Sequence, residues 1–144
     1  MLKFFSSLFI LSFFISCSGI RSIQDYDSIS DNRINSLQEK TAKFFIRIDR
    51  QYAKPDLNYE NFISFYDDSK ADINILLVRN RALYKTSITQ QQLESLLIQF
   101  NSLELLHKKG FNSKEEIIII KSAIENSFTA ILQFQLSLKK RSNT

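Results

Sequence analysis

This chain is poor in the residues that break helices and in those that build most catalytic and metal sites. Its 144 residues include one proline, one cysteine, one histidine and two glycines, and no tryptophan. A lone cysteine has no partner for an intramolecular disulfide. Gly19 and Gly110 are too far apart for a phosphate-binding loop or a dinucleotide-binding fingerprint. One histidine excludes the two Glu-x-x-His motifs of a diiron bundle. We therefore expect no cofactor and no metal centre.

The charge balance is mildly basic. Nineteen Lys and Arg residues stand against fifteen Asp and Glu residues, which gives a formal net charge of +4. The cations are dispersed along the chain, so the sequence does not predict nucleic-acid binding. A weak positive charge suits a protein beside an anionic membrane surface. The length predicts a single folded domain.

The first sixteen residues differ from the rest. Lys3 is their only charge, and the segment from Phe4 to Ile15 contains only Phe, Leu, Ile and Ser. As a helix it would be roughly 18 Å long, whereas a membrane span must cross roughly 30 Å of hydrocarbon. Residues 1–16 therefore predict a cleaved signal peptide rather than a transmembrane anchor.

The cysteine comes directly after this apolar run. Residues 14–18 read Phe-Ile-Ser-Cys-Ser, which resembles the lipobox of bacterial lipoproteins, with phenylalanine where the family usually has leucine. The resemblance covers residues 1–18. It implies cleavage before Cys17 and acylation of Cys17 with chains such as palmitate. The alternative is an ordinary signal peptide beside an unrelated cysteine.

The residue after the cysteine bears on localisation. In lipoproteins of Gram-negative bacteria, an Asp at this position favours retention in the inner membrane, and here the residue is Ser18. The resemblance therefore implies an outer-membrane lipoprotein that faces the periplasm if the source is Gram-negative. Residues 18–29 are polar and aperiodic, so we expect Cys17 and these residues to form a flexible tether, segment 17–29, ahead of a domain over residues 30–144.

Apolar residues recur every three or four positions in four later stretches. This spacing predicts an all-α fold: an antiparallel up-down bundle of four helices, because the connections between the stretches are short. The predicted helices begin at Ser30 or Asp31, at Asp56 or Asn58, at Thr89, and at Ser113. A three-helix bundle with a loosely docked first helix is the alternative. The predicted buried stripes are Ile34, Leu37, Thr41, Phe44, Ile48 and Tyr52; Phe62, Phe65 or Tyr66, Ser69, Ile73, Leu76, Asn80 and Leu83; Leu93, Leu96, Leu97, Phe100, Leu103 and Leu106; and Ile117, Ile120, Ile124, Phe128, Ile131, Phe134 or Gln135, and Leu138.

Few residues predict chemistry. His107 stands near a predicted helix end beside two lysines, with no second His or Cys near it in sequence, so we expect a surface or capping role. An enzyme would need His107 beside a carboxylate in a cleft. Asp67, Asp68 and Asp72 form the densest acidic group. We interpret it as a solvated face balanced by Lys70 and Arg79, with a divalent-ion site or an acid/base pair as the alternative.

Two other groups of residues allow an interaction as well as a structural role. The aromatic side chains around the predicted turn between the first two helices either close one end of the core or form a partner-binding patch; they are Tyr52, Tyr59, Phe62, Phe65 and Tyr66. The basic segment 138–141 either satisfies a helix dipole or contacts anionic lipid.

These observations favour a non-enzymatic envelope lipoprotein. We expect it to present a helical surface to a protein partner as an accessory, inhibitor or immunity-type protein, held at the membrane through Cys17. The alternative is a small-molecule or lipid carrier, whose pocket inside the bundle would be lined by Ser69, Asn80 and Asn126.

Overall fold

Four antiparallel helices form the described part of the protein. The computed structural model describes residues 24–52, 54–84 and 87–143. The helices are α1 (Ser28–Gln51), α2 (Ile63–Leu83), α3 (Ile88–Lys109) and α4 (Lys114–Ser142), and the described residues contain no strand. Helix α1 packs against α2 and α4, and α3 packs against the same two helices. The predicted all-α up-down bundle of four helices is confirmed. The signal peptide, Cys17 and residues 18–23 lie outside the described residues.

The folded domain begins earlier than predicted. Asp27, rather than Ser30 or Asp31, is the N-cap of α1, and its carboxylate accepts hydrogen bonds from the backbone N–H groups of Ile29 and Ser30. Gln24 is buried. Residues 24–29 therefore belong to the bundle and not to the expected tether, because backbone capping and packing hold them in place.

Helix α1 ends where Pro55 predicts. Lys54 has an extended backbone, as expected for a residue before proline. Two short 3-10 turns, Pro55–Leu57 and Tyr59–Phe62, occupy the stretch in which the second helix was predicted to begin. Helix α2 therefore begins later than predicted. At its other end Leu83 is exposed rather than buried.

The connection from α3 to α4 follows the sequence signals closely. Gly110 ends α3 with a φ of 78°, which a residue without a side chain adopts readily. Ser113 caps α4 by accepting a hydrogen bond from the Glu116 N–H, and the Glu116 carboxylate accepts one from the Asn112 N–H. At the other end of α3 the N-cap is Ser87 and not Thr89.

Helix α4 is long and apolar. By length and composition alone it is the one helix of the described residues that could cross a membrane. Its inward stripe, however, forms one wall of the core and includes Gln135, whose amide donates a hydrogen bond to the buried hydroxyl of Thr89. This buried polar link ties α4 to α3 as a bundle helix.

The core contains most of the predicted stripe residues. Phenylalanine, leucine and isoleucine dominate it, with one tyrosine. The buried hydrophobic residues are Ile34, Leu37, Phe44, Phe45, Ile48, Phe62, Tyr66, Ile73, Leu76, Leu77, Leu93, Leu96, Phe100, Leu103, Ile117, Ile124, Phe128, Ile131 and Leu138.

Candidate functional site

The two ends of the bundle differ in chemistry. We call the end with the α1–α2 and α3–α4 connections the distal end, and the opposite end, where residue 24 lies, the proximal end. An aromatic cluster fills the distal end. Five of its rings surround His107, with their centroids between 5.0 and 6.3 Å from that of the imidazole. The cluster consists of Phe44, Phe62, Phe65, Tyr59, Tyr66 and Phe111.

His107 is buried at the centre of this cluster. Its residue is 3% exposed, so the expected surface or capping role is wrong. The ring lies one turn beyond Leu103 on the inward face of α3, and this spacing could have identified it as a core position. The adjacent Lys108 and Lys109 gave the opposite impression, because both of them are exposed.

Both ring nitrogens of His107 have partners. The Tyr66 hydroxyl lies 2.8 Å from Nδ1, and the Leu57 carbonyl oxygen lies 3.2 Å from Nε2. Because a carbonyl can only accept, Nε2 carries the proton and Nδ1 accepts from Tyr66. Burial lowers the pKa of His107, although the Leu57 carbonyl and the charge of Glu60 oppose this effect. The neutral ring is the form that fits the site.

Glu104 lies one turn before His107 and is also buried. Its carboxylate accepts hydrogen bonds from Tyr59 at 2.7 Å and Lys70 at 2.8 Å, and Lys108 Nζ lies 3.0 Å away. Burial alone would raise the pKa of Glu104, but these three donors outweigh it and hold the pKa at about 2. The carboxylate therefore stays ionised at neutral pH.

This arrangement fits a structural role better than catalysis. Glu104 accepts its hydrogen bonds from Tyr59 and Lys70 and not from His107. Both ring nitrogens of His107 already have other partners. Neither of the two cavities described below is lined by His107 or Glu104. The cluster thus offers a substrate no free imidazole nitrogen. It joins α2, α3 and the turns between α1 and α2.

The five predicted patch residues form part of this core. Phe62 and Tyr66 are buried, which closes them to a partner. Tyr52, Tyr59 and Phe65 are partly buried and pack against the core. Phe62 and Tyr66 therefore close one end of the core, whereas a partner-binding role for Tyr52, Tyr59 and Phe65 stays a prediction.

The acidic group on α2 is divided. Asp67 and Asp68 are exposed, whereas Asp72 accepts a hydrogen bond from Lys40 at 2.6 Å and lies 3.8 Å from Arg33. Within the described residues no group of three or more His, Cys, Asp or Glu could hold a metal ion. Lys70 and Arg79 were expected to balance this acidic group. Both of them form ion pairs with other acids, Lys70 with Glu104 and Arg79 with Asp27.

The three residues expected to line a pocket do not lie together. Asn126 is exposed. Ser69 and Asn80 are buried, and the Ser87 hydroxyl donates to the Asn80 side chain. None of the three lines either cavity. A cavity of about 320 Å³ lies between α1 and α4, beside Phe45, Phe128 and Leu132. One of about 190 Å³ lies between α1 and α2.

Comparisons with known proteins gave no match among protein-family models, curated proteins or solved structures.

Proposed function

We propose that this protein is a non-enzymatic lipoprotein of the bacterial cell envelope, anchored through acylated Cys17, that presents its helical surface to a protein partner. The observation that carries the proposal is the position of the chain's one cysteine, directly after the apolar run of residues 4–15. Two or three acyl chains, at about 0.8 kcal/mol per buried CH₂, give a stable anchor.

The length of chain between anchor and bundle supports a position close to the membrane. Gln24 is buried in the bundle and follows Cys17 by seven residues. Fully extended, seven residues span at most about 25 Å. The bundle is then held near the headgroups, where its local concentration beside another membrane protein is high.

The charge at the proximal end supports the same arrangement. The carbonyl of Gln24 accepts a hydrogen bond from Arg141 at 2.6 Å, and the Lys139 ammonium lies 5.7 Å from the Tyr26 ring centroid. The C-terminus of α4 therefore lies beside the start of the bundle. Lys139 and Lys140 are exposed there. Each cation near an anionic surface contributes about 1 kcal/mol to binding.

Surface composition supports a protein partner. Several large apolar side chains are exposed in the described part of the chain, and contiguous exposed apolar surface is typical of interaction sites. At the distal end, His107 and Glu104 already have hydrogen-bond partners within the bundle. A role through binding is therefore better supported than one through catalysis.

The anchor is tested by expressing the full chain in bacteria with an alkyne-tagged palmitate analogue. We expect label on the wild-type protein and on Ser18→Ala, the matched control, and none on Cys17→Ala. Mass spectrometry of the exported product should find acylated Cys17 as its first residue, and fractionation should place it with membranes. An unmodified thiol, or wild type and Cys17→Ala in one soluble fraction, contradicts the proposal.

The partner is tested by chemical crosslinking in intact cells followed by purification from membranes. We expect one envelope protein to be enriched with the wild-type chain and reduced at least tenfold with Cys17→Ala at equal expression. No enrichment over that control contradicts the partner role while leaving the anchor intact.

A further inference from the structure

Helix α2 is apolar on two opposite faces. Tyr66, Ile73 and Leu76 point into the core, and a second line of apolar residues follows the outer side of the helix. Ala71, Ile75, Val78 and Ala82 form this outer line and are all exposed, Val78 by 66%. A helix that served only the core would carry polar residues there.

Helix α3 extends this apolar surface. Ile98 and Leu105 are exposed by 66% and 53% and lie on the outer side of α3. The ion pairs Lys70–Glu104 and Arg81–Glu94 fix the antiparallel register of the two helices. In that register Ile98 is level with the middle of the outer line on α2. We call the six residues Ala71, Ile75, Val78, Ala82, Ile98 and Leu105 the α2–α3 apolar face.

The outer line of α2 has a symmetric pattern of spacings and residue types. Its spacings are four, three and four residues, with alanine at both ends and a β-branched residue at both inner positions. A twofold axis through its midpoint would place Ala71 opposite Ala82 of a second copy, and Ile75 opposite Val78. Ile98 would then lie near its own counterpart. Twofold interfaces require this self-complementarity, and the alanines allow close approach of the helices.

The charges of α2 select the antiparallel pairing. Its first half carries Asp67, Asp68 and Asp72 against one cation, Lys70, and its second half carries Arg79 and Arg81 and no acid. Asp72 and the two arginines also pair within the bundle, whereas Asp67 and Asp68 are exposed. In an antiparallel pair, the acidic half of one copy faces the basic half of the other. A parallel pair would bring like charges together. Complementary charges of this kind set the orientation of an interface.

We infer that the α2–α3 apolar face is the interface of a twofold-symmetric homodimer, and that its occupant is a second copy of this chain. A different partner would require neither the symmetric spacing nor the opposed halves of charge. The inference does not depend on the anchor, because the face lies along the side of the bundle.

Disulfide trapping tests the geometry. The full chain carries Cys17→Ser, so that only an introduced thiol reacts. With Ile98→Cys, mild oxidation is expected to convert most of the protein to a covalent dimer, because the twofold axis brings the two thiols together. The matched control is Ile119→Cys, on the outer side of α4 and 69% exposed. It is expected to remain largely monomeric. Equal crosslinking of the two variants overturns the inference.

Sedimentation equilibrium tests the association itself. We expect the Cys17→Ser chain to be dimeric at micromolar concentration, and Val78→Glu to raise the dissociation constant at least tenfold with unchanged helical circular dichroism. Ile119→Glu is the control and should dimerise as before. A monomeric parent chain, or a Val78→Glu variant that still dimerises, overturns the inference. If the parent is monomeric, and Val78→Glu in the otherwise wild-type chain loses the crosslinked envelope protein, the face binds that protein instead. Because the trapping and sedimentation arms use unanchored protein, failure of the anchor is measured separately.

Discussion

At the scale of single residues, His107 makes contacts that the sequence did not predict. Its ring accepts from Tyr66 and donates to Leu57, which requires the neutral form with the proton on Nε2. Protonation would turn Nδ1 into a donor aimed at the Tyr66 hydroxyl, whose own proton would then lack its acceptor. These two hydrogen bonds therefore form together only while the histidine is uncharged.

A loss of stability in mild acid follows. The folded state lowers the pKa of His107 below its ordinary value of 6.5, so the contribution is fully present above that pH and is lost as the pH falls below it. We expect the free energy of unfolding in urea to drop by up to about 1.4 kcal/mol per pH unit below 6.5. His107→Gln cannot titrate and should show a smaller slope between pH 6.5 and 5. Equal slopes would show that His107 is not the responsible group.

The two tyrosine hydroxyls of the cluster should differ in importance. Tyr66→Phe leaves the buried Nδ1 of His107 without its donor and should cost about 1–3 kcal/mol of unfolding free energy. Tyr59→Phe removes one of three donors to Glu104, and Lys70 and Lys108 remain. It should cost less than about 1 kcal/mol. Urea denaturation of the two variants measures the difference, and the reverse order would contradict the assignment.

Among the elements, the start of α1 depends on one carboxylate. Asp27 caps the helix and receives two hydrogen bonds from Arg79, at 2.7 and 2.9 Å. The Arg79 guanidinium is the main reason that its pKa lies at about 2. Because this pKa is depressed, the stabilisation is present above the unfolded value of 3.8 and disappears as the pH falls towards 2.

Removal of this side chain tests the earlier start of the domain. Asp27→Ala should lower the unfolding free energy by about 1–2 kcal/mol through loss of the cap alone, and should increase proteolysis near residue 28. Asp25→Ala is the matched control, because Asp25 is exposed and its backbone carbonyl accepts the bond from Tyr84. If the two variants are equally stable at pH 7, residues 24–29 behave as the tether that the sequence suggested.

The end of α3 depends on backbone conformation. Gly110 has a φ of 78°, and a Cβ added there would meet nothing within 4 Å. Gly110→Ala should therefore cost only the backbone strain of this conformation, with φ 78° and ψ 132°, about 1–3 kcal/mol. Gly110→Asn should cost a similar amount, because asparagine tolerates positive φ only at the smaller ψ of the left-handed helical region. Thermal unfolding of the two variants measures both costs. A cost far above about 3 kcal/mol for alanine would mean that space, and not backbone strain, decides.

The spacing of apolar residues predicted the helices and their buried faces better than it predicted where each helix begins. The inward faces followed from spacings of three and four, since burial of one stripe is what holds a bundle together. The N-caps of α1 and α3 were missed because Asp27 and Ser87 compete with equally good capping residues nearby. The cluster around His107 was missed because Tyr66, Glu104 and Leu57 are distant in sequence and meet only through tertiary packing. His107 itself kept the core spacing, but its charged neighbours concealed it.

For the whole molecule, the two ends have different surroundings. The distal end is closed by aromatic rings, whereas the proximal end joins the proposed anchor and carries the exposed cations at the end of α4. Helices of this length separate the ends by roughly 30 Å. If the anchor holds the proximal end at the headgroups, the axis of the bundle points away from the membrane surface and the distal end lies far from it. Both the α2–α3 apolar face and the cavity between α1 and α4 then remain accessible from the side.

This orientation is measurable in the lipidated protein. A fluorophore on a cysteine introduced at Asn143 marks the proximal end, and one at Asn112 marks the distal end; both residues are exposed. In anionic vesicles with spin-labelled headgroups, we expect strong quenching at position 143 and weak quenching at 112, because quenching requires close approach to the surface. Replacing Lys139 and Lys140 with glutamate should reduce this difference by weakening the attraction of the proximal end. Equal quenching at both positions in the parent protein would mean that the bundle lies flat on the membrane, with one helical side covered.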